Sequence, residues 1–286
     1  MFIMIVKISK EKMEENMARN PLKGTLATFS QTHRILLGVN ADNPEMIVGI
    51  SKAVRETKIP LFVQVTPETL ALWGYDVLTA IMKTTLDSLE TPVSWHLDHA
   101  TALNDIKQAL DWGFTSVMYD GSTLPFEDNI RNTQRVVEMA LAKGALVEGE
   151  IGHVHKPGEP EEWRQLTDPD DVVAFVQATH VDALAIAIGN HHATHVKDSQ
   201  IDLDRLAAIQ EVCSVPLVLH GASGVPVELY DALRNRGIVK MNFGTELRSI
   251  WWKTVHEMQN SKPRWVQSKI STAIDNFVKS KLSQLS

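Results

Sequence analysis

The chain has 286 residues, a length that suits either one large α/β barrel or two ordinary domains. Its hydrophobic fraction of 44% and charged fraction of 22% exclude a disordered or fibrous protein, because such a chain can bury a full core. The formal net charge of −7 leaves no large positive field, so we expect no binding to nucleic acid. A small phosphorylated ligand stays compatible with this charge, because backbone amides and one or two cations bind a phosphate locally.

Cysteine usage and the N-terminus indicate the compartment. The single cysteine, Cys213, excludes an intramolecular disulfide and a cysteine-cluster metal site, and it is typical of a reducing environment. The apolar opening Met1 to Val6 is shorter than the roughly 7–15 residues of a signal-peptide core. No apolar run reaches the length of about 18 residues that a membrane span needs. We therefore expect a cytoplasmic protein that has no membrane partner.

Eight short apolar runs predict β-strands that recur about every 29 residues, the size of one βα unit. The predicted strands are Ile35 to Val39, Leu61 to Val65, Val93 to Leu97, Ser116 to Tyr119, Leu146 to Glu150, Ala183 to Ile188, Leu217 to Leu219 and Ile238 to Met241. Amphipathic segments between them predict helices. These include Pro44 to Thr57, Ala102 to Trp112, Asn129 to Lys143, Asp170 to Thr179, Asp204 to Val212 and Pro226 to Arg236.

The alternation favours an α/β fold in the form of a closed (β/α)8 TIM barrel, although a doubly wound open sheet with eight strands gives a similar pattern. Polar residues follow the apolar runs, as the carboxyl-end mouth of a barrel requires. No low-complexity linker interrupts the series, so we predict one domain over residues 1–286, with barrel strands over about 35–242. Met1 to Arg34 forms a predicted N-terminal extension. Ser249 to Ser286 is a predicted helical tail with a break at Lys262-Pro263.

Three histidine motifs stand just beyond predicted strands. They are His-Leu-Asp-His at 96–99, Gly-Asn-His-His at 189–192 and Leu-His-Gly-Ala-Ser-Gly at 219–224. Any one of these histidines alone is better explained as a hydrogen-bonded structural residue. In a barrel, however, all three strand ends open into one bowl, and three imidazoles with an open fourth position suit a catalytic Zn²⁺.

A carboxylate and two small-residue loops complete the candidate site. Asp98 lies beside a predicted metal ligand, where it either transfers a proton to and from a metal-bound substrate or only orients a histidine. The loops at 220–224 and 242–245 combine glycine with hydroxyl and amide side chains. Loops after strands seven and eight of a barrel frequently bind phosphate through backbone amides and a helix N-terminus.

Several motifs, in order over roughly Ile35 to Thr245, resemble the class II, metal-dependent fructose-bisphosphate and tagatose-bisphosphate aldolases. They are His-Leu-Asp-His-Ala at 96–100, Gly-Phe-Thr-Ser-Val-Met-Tyr-Asp-Gly-Ser at 113–122, Val-Glu-Gly-Glu-Ile-Gly at 147–152 and the loop at 219–224. The resemblance implies a TIM barrel that holds Zn²⁺, or another divalent metal, on His99, His192 and His220. It implies that Asp98 is the catalytic acid/base and that Glu150 approaches the metal.

The resemblance further implies a phosphorylated sugar as substrate and a homodimer or homotetramer as the assembly. The positions that match the binding site for dihydroxyacetone phosphate are Ala193, Gly221, Ser223, Asn242 and Thr245. Arg264 resembles a C-terminal arginine that meets a distal anion. The alternative aldolase strategy is a Schiff base, which needs a pocket lysine. Predicted strand six has no lysine, and Lys240 on strand eight is equally well explained as an ion-paired structural lysine.

The chain departs from the family pattern at four places, the first of which is the segment Asn20 to Arg34 inserted before the first strand. Ala193 stands where the family has a glycine, and Gly-His-Val-His at 152–155 replaces a glycine-rich continuation. The loop from Lys156 to Arg164 is unlike the acidic loop that carries a second proton-transfer glutamate, for which Glu159, Glu161 and Glu162 are candidates here.

These departures leave three hypotheses. The first is a zinc-dependent aldolase that reversibly cleaves a ketose 1-phosphate or a ketose bisphosphate into dihydroxyacetone phosphate and an aldehyde. The second is a metal aldolase for a deoxy, acidic or sulfonated ketose phosphate. The third is a non-catalytic regulatory or assembly subunit of the same fold, which the presence of Asp98 and all three histidines disfavours.

Overall fold

The computed structural model describes residues 21–155, 158–160, 164–192 and 200–286. The N-terminal residues 1–20, the predicted phosphate contact Ala193 and the candidate glutamates Glu161 and Glu162 lie outside these ranges. Among the described residues, no helix is both long enough and apolar enough to cross a bilayer.

Eight parallel strands pair in chain order, and the first pairs with the last, so the sheet closes into a barrel. This confirms the TIM barrel over the open sheet. The strands are β1 (Leu36–Asn40), β2 (Leu61–Val65), β3 (Val93–Ala100), β4 (Ser116–Tyr119), β5 (Leu146–Ile151), β6 (Ala183–Ile186), β7 (Leu217–Leu219) and β8 (Ile238–Phe243). The predicted strands agree with these bounds to within a few residues.

Helices surround the barrel in the alternation that the sequence predicts. They are α1 (Pro21–Gln31), α2 (Pro44–Thr57), α3 (Pro67–Trp73), α4 (Tyr75–Thr85), α5 (Leu103–Asp111), α6 (Phe126–Lys143), α7 (Pro169–Thr179), α8 (Leu203–Val212), α9 (Tyr230–Arg234), α10 (Thr245–Glu257) and α11 (Pro263–Leu285). The predicted helices did not include α3 and α4. Thr66 caps α3 and Pro67 occupies its first turn, which are ordinary start signals, and Gly74 at φ 78° separates the two helices.

The N-terminal extension closes the bottom of the barrel. Leu22, Leu26 and Phe29 lie on one face of α1 and are buried against residues from several strands. Those partners are Leu36, Phe62, Leu146 and Val239. An open barrel end would expose these apolar side chains to water, so α1 contributes hydrophobic burial to the barrel itself.

The C-terminal tail is an integral layer of the fold. The predicted break at Lys262-Pro263 is confirmed, since α10 ends at Glu257 and α11 begins at Pro263. Helix α11 packs closely on α2, where a Cβ at Gly49 would lie 2.6 Å from the Ser271 carbonyl oxygen. Near its end, the carbonyl of Leu285 accepts a hydrogen bond from the Ile35 amide at 3.1 Å, which ties the tail to the start of the barrel.

Candidate active site

A bulge near the end of β3 turns two consecutive side chains into the barrel mouth. Leu97 pairs with Val117 and Ala100 pairs with Tyr119, so two residues on β3 stand opposite one on β4. The two bulge residues are Asp98 and His99, which together stand opposite Met118, and His99 has a φ of 53°. Consecutive residues of a regular strand point to opposite faces, and a positive φ is strained for a residue with a Cβ. The fold accepts this strain in order to bring both side chains to one place.

Two amides fix the carboxylate of Asp98. The Asn40 side chain donates a hydrogen bond to Oδ2 at 2.8 Å, and Gln64 donates one to Oδ1 at 3.0 Å. Burial alone would raise the pKa of Asp98. Charge interactions with His99 and His220 outweigh burial, so this pKa lies below its ordinary value. Asp98 is therefore ionised at neutral pH and is presented in one orientation.

The three histidines of the sequence motifs converge at this point. The ring centroid of His99 lies 4.7 Å from that of His192 and 4.5 Å from that of His220. One nitrogen of each ring lies within 4.8 Å of the corresponding nitrogens of the other two. Asp98 is adjacent, with its Oδ1 4.0 Å from Nδ1 of His220. The structure thus brings together the residues that the sequence predicts as metal ligands and as acid/base.

Carboxylates behind the rings set which nitrogen faces the cavity. Asp120 Oδ2 lies 3.0 Å from Nδ1 of His99, which places the ring proton there. Nε2 of His99 is buried and has no hydrogen-bond partner among the described residues. Glu148 Oε1 lies 2.7 Å from Nε2 of His220 and leaves Nδ1 of that ring for the cavity. Nδ1 of His220 lies 3.2 Å from the side-chain amide of Asn242, so a cation bound there would replace this contact, whereas Nε2 of His99 is open to a cation.

The charge around the histidines also fits a cation. Burial opposes protonation of His99, but Asp98, Asp120 and Glu150 outweigh it and raise the pKa of His99 to about 9. Burial and the neighbouring His99 instead hold the pKa of His220 well below its ordinary value. The carboxylates of Asp98, Asp120 and Glu150 therefore favour a positive charge at His99. Glu150, with an oxygen 3.7 Å from Nδ1 of His99, also forms a second candidate metal cluster with His99 and Asp120.

An ion pair inside the barrel supports His220 from below. Nζ of Lys240 on β8 lies 2.7 Å from Oε2 of Glu148, whose other oxygen contacts His220. Both side chains are almost fully buried, at 1% and 3% exposure. This confirms the structural interpretation of Lys240 as an ion-paired lysine. Removing either partner would leave a buried charge, which costs about 3–5 kcal/mol.

A cleft of about 500 Å³ opens above the histidines. Its lining includes the predicted phosphate-binding residues Gly221, Ser223, Asn242 and Thr245. Gly221 has a φ of 63°, and a Cβ there would collide with the backbone carbonyl of His191. Thr245 is the first residue of α10, so the positive N-terminal end of that helix opens onto the cleft.

The arginine that lines the cleft is not the one that the sequence predicts. Arg264 is not among the residues that line the cleft, and its guanidinium lies 5.5 Å from the Trp265 ring. Arg248, which the sequence analysis missed, does line the cleft, and its Nε lies 2.7 Å from Oδ2 of Asp42. Its position one helical turn after Thr245 was the available signal.

The mouth of this barrel defines a class of protein, a (β/α)8-barrel enzyme with a candidate metal centre at the carboxyl ends of its strands. The family model for class II fructose-bisphosphate aldolase matches residues 20–286. A fructose-bisphosphate aldolase from Giardia intestinalis is 37% identical over 215 residues, which are 73% of this chain and 67% of that protein.

Solved structures agree with this match. The YdjI aldolase from Escherichia coli K12 superposes with a TM-score of 0.84 and 28% identity, over 93% of this chain and 96% of that one. A putative fructose-1,6-biphosphate aldolase from Coccidioides immitis gives a TM-score of 0.82 and 27% identity, over 91% and 94% of the two chains. The chain belongs to the class II fructose-bisphosphate aldolase family and is an aldolase lyase, and this family is generally metal-dependent.

Proposed function

We propose that this chain is a zinc-dependent aldolase that reversibly cleaves a ketose 1-phosphate or ketose bisphosphate into dihydroxyacetone phosphate and an aldehyde. One observation carries the proposal: the carboxylate of Asp98, held by two amide hydrogen bonds, lies beside three converging imidazoles in a cleft of substrate size.

The metal would be held by His99, His192 and His220. Three nitrogen ligands with room for a substrate oxygen suit Zn²⁺ best, although another divalent metal also fits such a set. When bound, the metal supplies a Lewis acid that stabilises negative charge developing on a substrate oxygen. Asp120 and Glu148 hold the imidazoles of His99 and His220 in the tautomers that this role requires. Glu150 is assigned a place near the metal by its family position, and its Oε2 lies 3.7 Å from Nδ1 of His99.

Asp98 moves the proton. In the cleavage direction its carboxylate takes the proton from the hydroxyl on the carbon whose bond to the dihydroxyacetone half breaks, and in condensation it returns that proton. The hydrogen bonds from Asn40 and Gln64 stabilise the charged form, which supports a base at neutral pH.

Recognition of the phosphate is assigned to the loops after β7 and β8. Gly221, Ser223 and Thr245, together with the N-terminal end of α10, offer backbone amides and hydroxyls to a dianion. Asn242 is assigned to the carbon skeleton of the dihydroxyacetone half, and Ala193 to the phosphate by its family position. Arg248 lines the cleft beside the loop after β8 and is paired with Asp42, and we assign it to an anionic group of the substrate.

The proposal is tested by metal content and by synthesis. Protein purified without chelator is expected to contain about one zinc per chain, and treatment with a chelator should abolish aldol condensation until zinc is restored. Dihydroxyacetone phosphate should then be offered with a panel of phosphorylated, deoxy, acidic and sulfonated aldehydes. A product with one member identifies the aldehyde half. No product from any aldehyde with zinc-loaded protein, or full activity without metal, would contradict the proposal.

The family also supports a homodimer or homotetramer. Light scattering of the purified chain at working concentration decides between these two assemblies, and a monomer would contradict both.

A further inference from the structure

A line of hydrogen-bonded side chains leads from the candidate metal centre to the loop after β5. Nδ1 of His99 lies 3.0 Å from Oδ2 of Asp120, and the Ser122 hydroxyl lies 2.6 Å from Oδ1 of the same carboxylate. The Ser122 hydroxyl also lies 2.8 Å from Nδ1 of His153. Nε2 of His153 in turn lies 2.8 Å from Oε2 of Glu159. The Ser122 hydroxyl donates its one proton to Asp120 and therefore accepts from Nδ1 of His153, so the four contacts form a continuous chain of hydrogen bonds when both ring nitrogens of His153 donate.

The ring of His153 is held in place by its backbone. Its amide donates a hydrogen bond to the Gln165 carbonyl at 2.7 Å, in an isolated antiparallel bridge. The preceding Gly152 has a φ of 71°, and a Cβ there would lie 2.7 Å from the Thr167 hydroxyl oxygen. The side chain is only 4% exposed. The fold therefore builds a fixed, buried position for an imidazole at the end of this chain.

The two nitrogens of His153 have different partners. Glu159 presents a carboxylate, which accepts, so it fixes a proton on Nε2 and with it the orientation of the ring. Nδ1 is thereby directed at Ser122. Ser122 makes two contacts with Oδ1 of Asp120, since its backbone amide also donates to that oxygen at 3.2 Å. Ser122, which is held by His153, therefore fixes the Oδ1 side of the Asp120 carboxylate.

The same segment reaches a second candidate ligand by a separate route. The backbone carbonyl of His155 accepts a hydrogen bond at 3.0 Å from the backbone amide of His192. Residues 153–155 thus contact Ser122, which supports Asp120 and His99, and contact His192 directly.

We propose that His153 is a positioning residue of the metal centre. It holds Ser122 and Asp120 in the arrangement that keeps the proton of His99 on Nδ1 and directs Nε2 into the metal position. This rests on the proposed metal-dependent function. A residue that supports a ligand in this way affects the affinity for the metal and the geometry around it, in addition to turnover.

The test measures zinc affinity of the full chain by competition with a chromophoric chelator, and the visible absorption spectrum of the cobalt-loaded protein. His153→Ala should weaken zinc binding about tenfold, the lower end of the effect of outer ligand supports, and should shift the cobalt bands. His153→Asn should restore affinity to within about twofold, because its amide occupies nearly the Nδ1 position and keeps the contact to Ser122. His256→Ala, an exposed histidine on α10, is the matched control and should leave both readouts unchanged.

Ser122→Ala is a second test of the proposal, and it does not change the sequence of the loop that carries His153. It should weaken zinc binding as His153→Ala does, and the double variant should be no weaker than the stronger single one, because both act through one chain. Wild-type affinity and an unchanged cobalt spectrum in His153→Ala would overturn the proposal. The proposal would also be overturned if His153→Ala and His153→Asn lost the same zinc affinity and this loss only paralleled a lower unfolding temperature of the metal-free protein. Wild-type protein that binds no metal would instead overturn the proposed function, so the two failures are distinguishable.

Discussion

The two ends of the barrel differ in their side chains, which are apolar at the bottom and charged or polar at the mouth. At the bottom, α1 buries Leu22, Leu26 and Phe29 against apolar strand residues, in relaxed helical geometry. At the mouth, buried carboxylates and imidazoles crowd around a residue with positive φ. The contrast teaches that stability and chemistry are assigned to separate ends of one sheet, so a change at one end should leave the property of the other intact.

The largest expected effect is on stability and comes from the bottom. Phe29→Ala removes a ring that is 5% exposed and that also carries the Arg34 guanidinium at 4.5 Å. We expect the free energy of unfolding to fall by about 3–5 kcal/mol, as for other buried Phe to Ala changes, with kcat per folded molecule unchanged. Chemical denaturation measures the first quantity, and initial rates at low temperature measure the second.

Thr28→Ala on the same helix is the matched control for this change. Thr28 is exposed, so its replacement should alter the unfolding free energy by less than about 0.5 kcal/mol. If Phe29→Ala lowered kcat of the folded fraction by as much as it lowered stability, the separation of the two ends would be wrong.

A change at the mouth should give the reverse pattern. Asp98→Asn keeps the shape of the side chain but removes the proton acceptor, so kcat should fall by about 10²-fold or more, which is about 2.7 kcal/mol or more of transition-state stabilisation. Zinc content should stay at the wild-type level. Asp111→Asn, which changes an exposed carboxylate bound to Lys107 and Lys143, should retain full turnover. Unchanged turnover in Asp98→Asn would reduce Asp98 to an orienting role.

The barrel could be predicted because each of its strands is specified by a short continuous stretch of sequence. A parallel barrel strand is buried on both faces and is therefore rich in apolar residues, as in Leu61 to Val65, where only Gln64 is polar. The helix after it was missed although Thr66 and Pro67 mark its start, because α3 has only seven residues and ends at once in Gly74. Asn129, the first residue of a predicted helix, is the fourth residue of α6, and it donates a side-chain hydrogen bond to the Glu150 carbonyl.

The sequence predicted the histidines and Asp98 of the site, but not the residues that hold them in place, such as Glu148. Three histidines at equivalent strand ends indicate convergence, because the barrel itself brings strand ends together. The β3 bulge left no signal, since Asp98 and His99 are ordinary residues for a strand end. The contact between Glu148 and Lys240 joins positions 92 apart in the chain, and only the closure of the barrel fixes the register that pairs them.

The smallest expected effect compares Arg248, which lines the cleft, with Arg264, which is not among its lining residues. Arg248 lines the cleft and is braced by Asp42, whereas Arg264 is the arginine that the sequence predicts for a distal anion. Arg248→Met should raise KM about tenfold, roughly 1.4 kcal/mol, for a substrate with an anionic group at its far end, with a smaller change in kcat. Its effect should vanish with an uncharged aldehyde, since the lost interaction is with the charge. Arg264→Met should leave KM unchanged on the same substrates, and the opposite order of the two variants would assign the distal anion to Arg264.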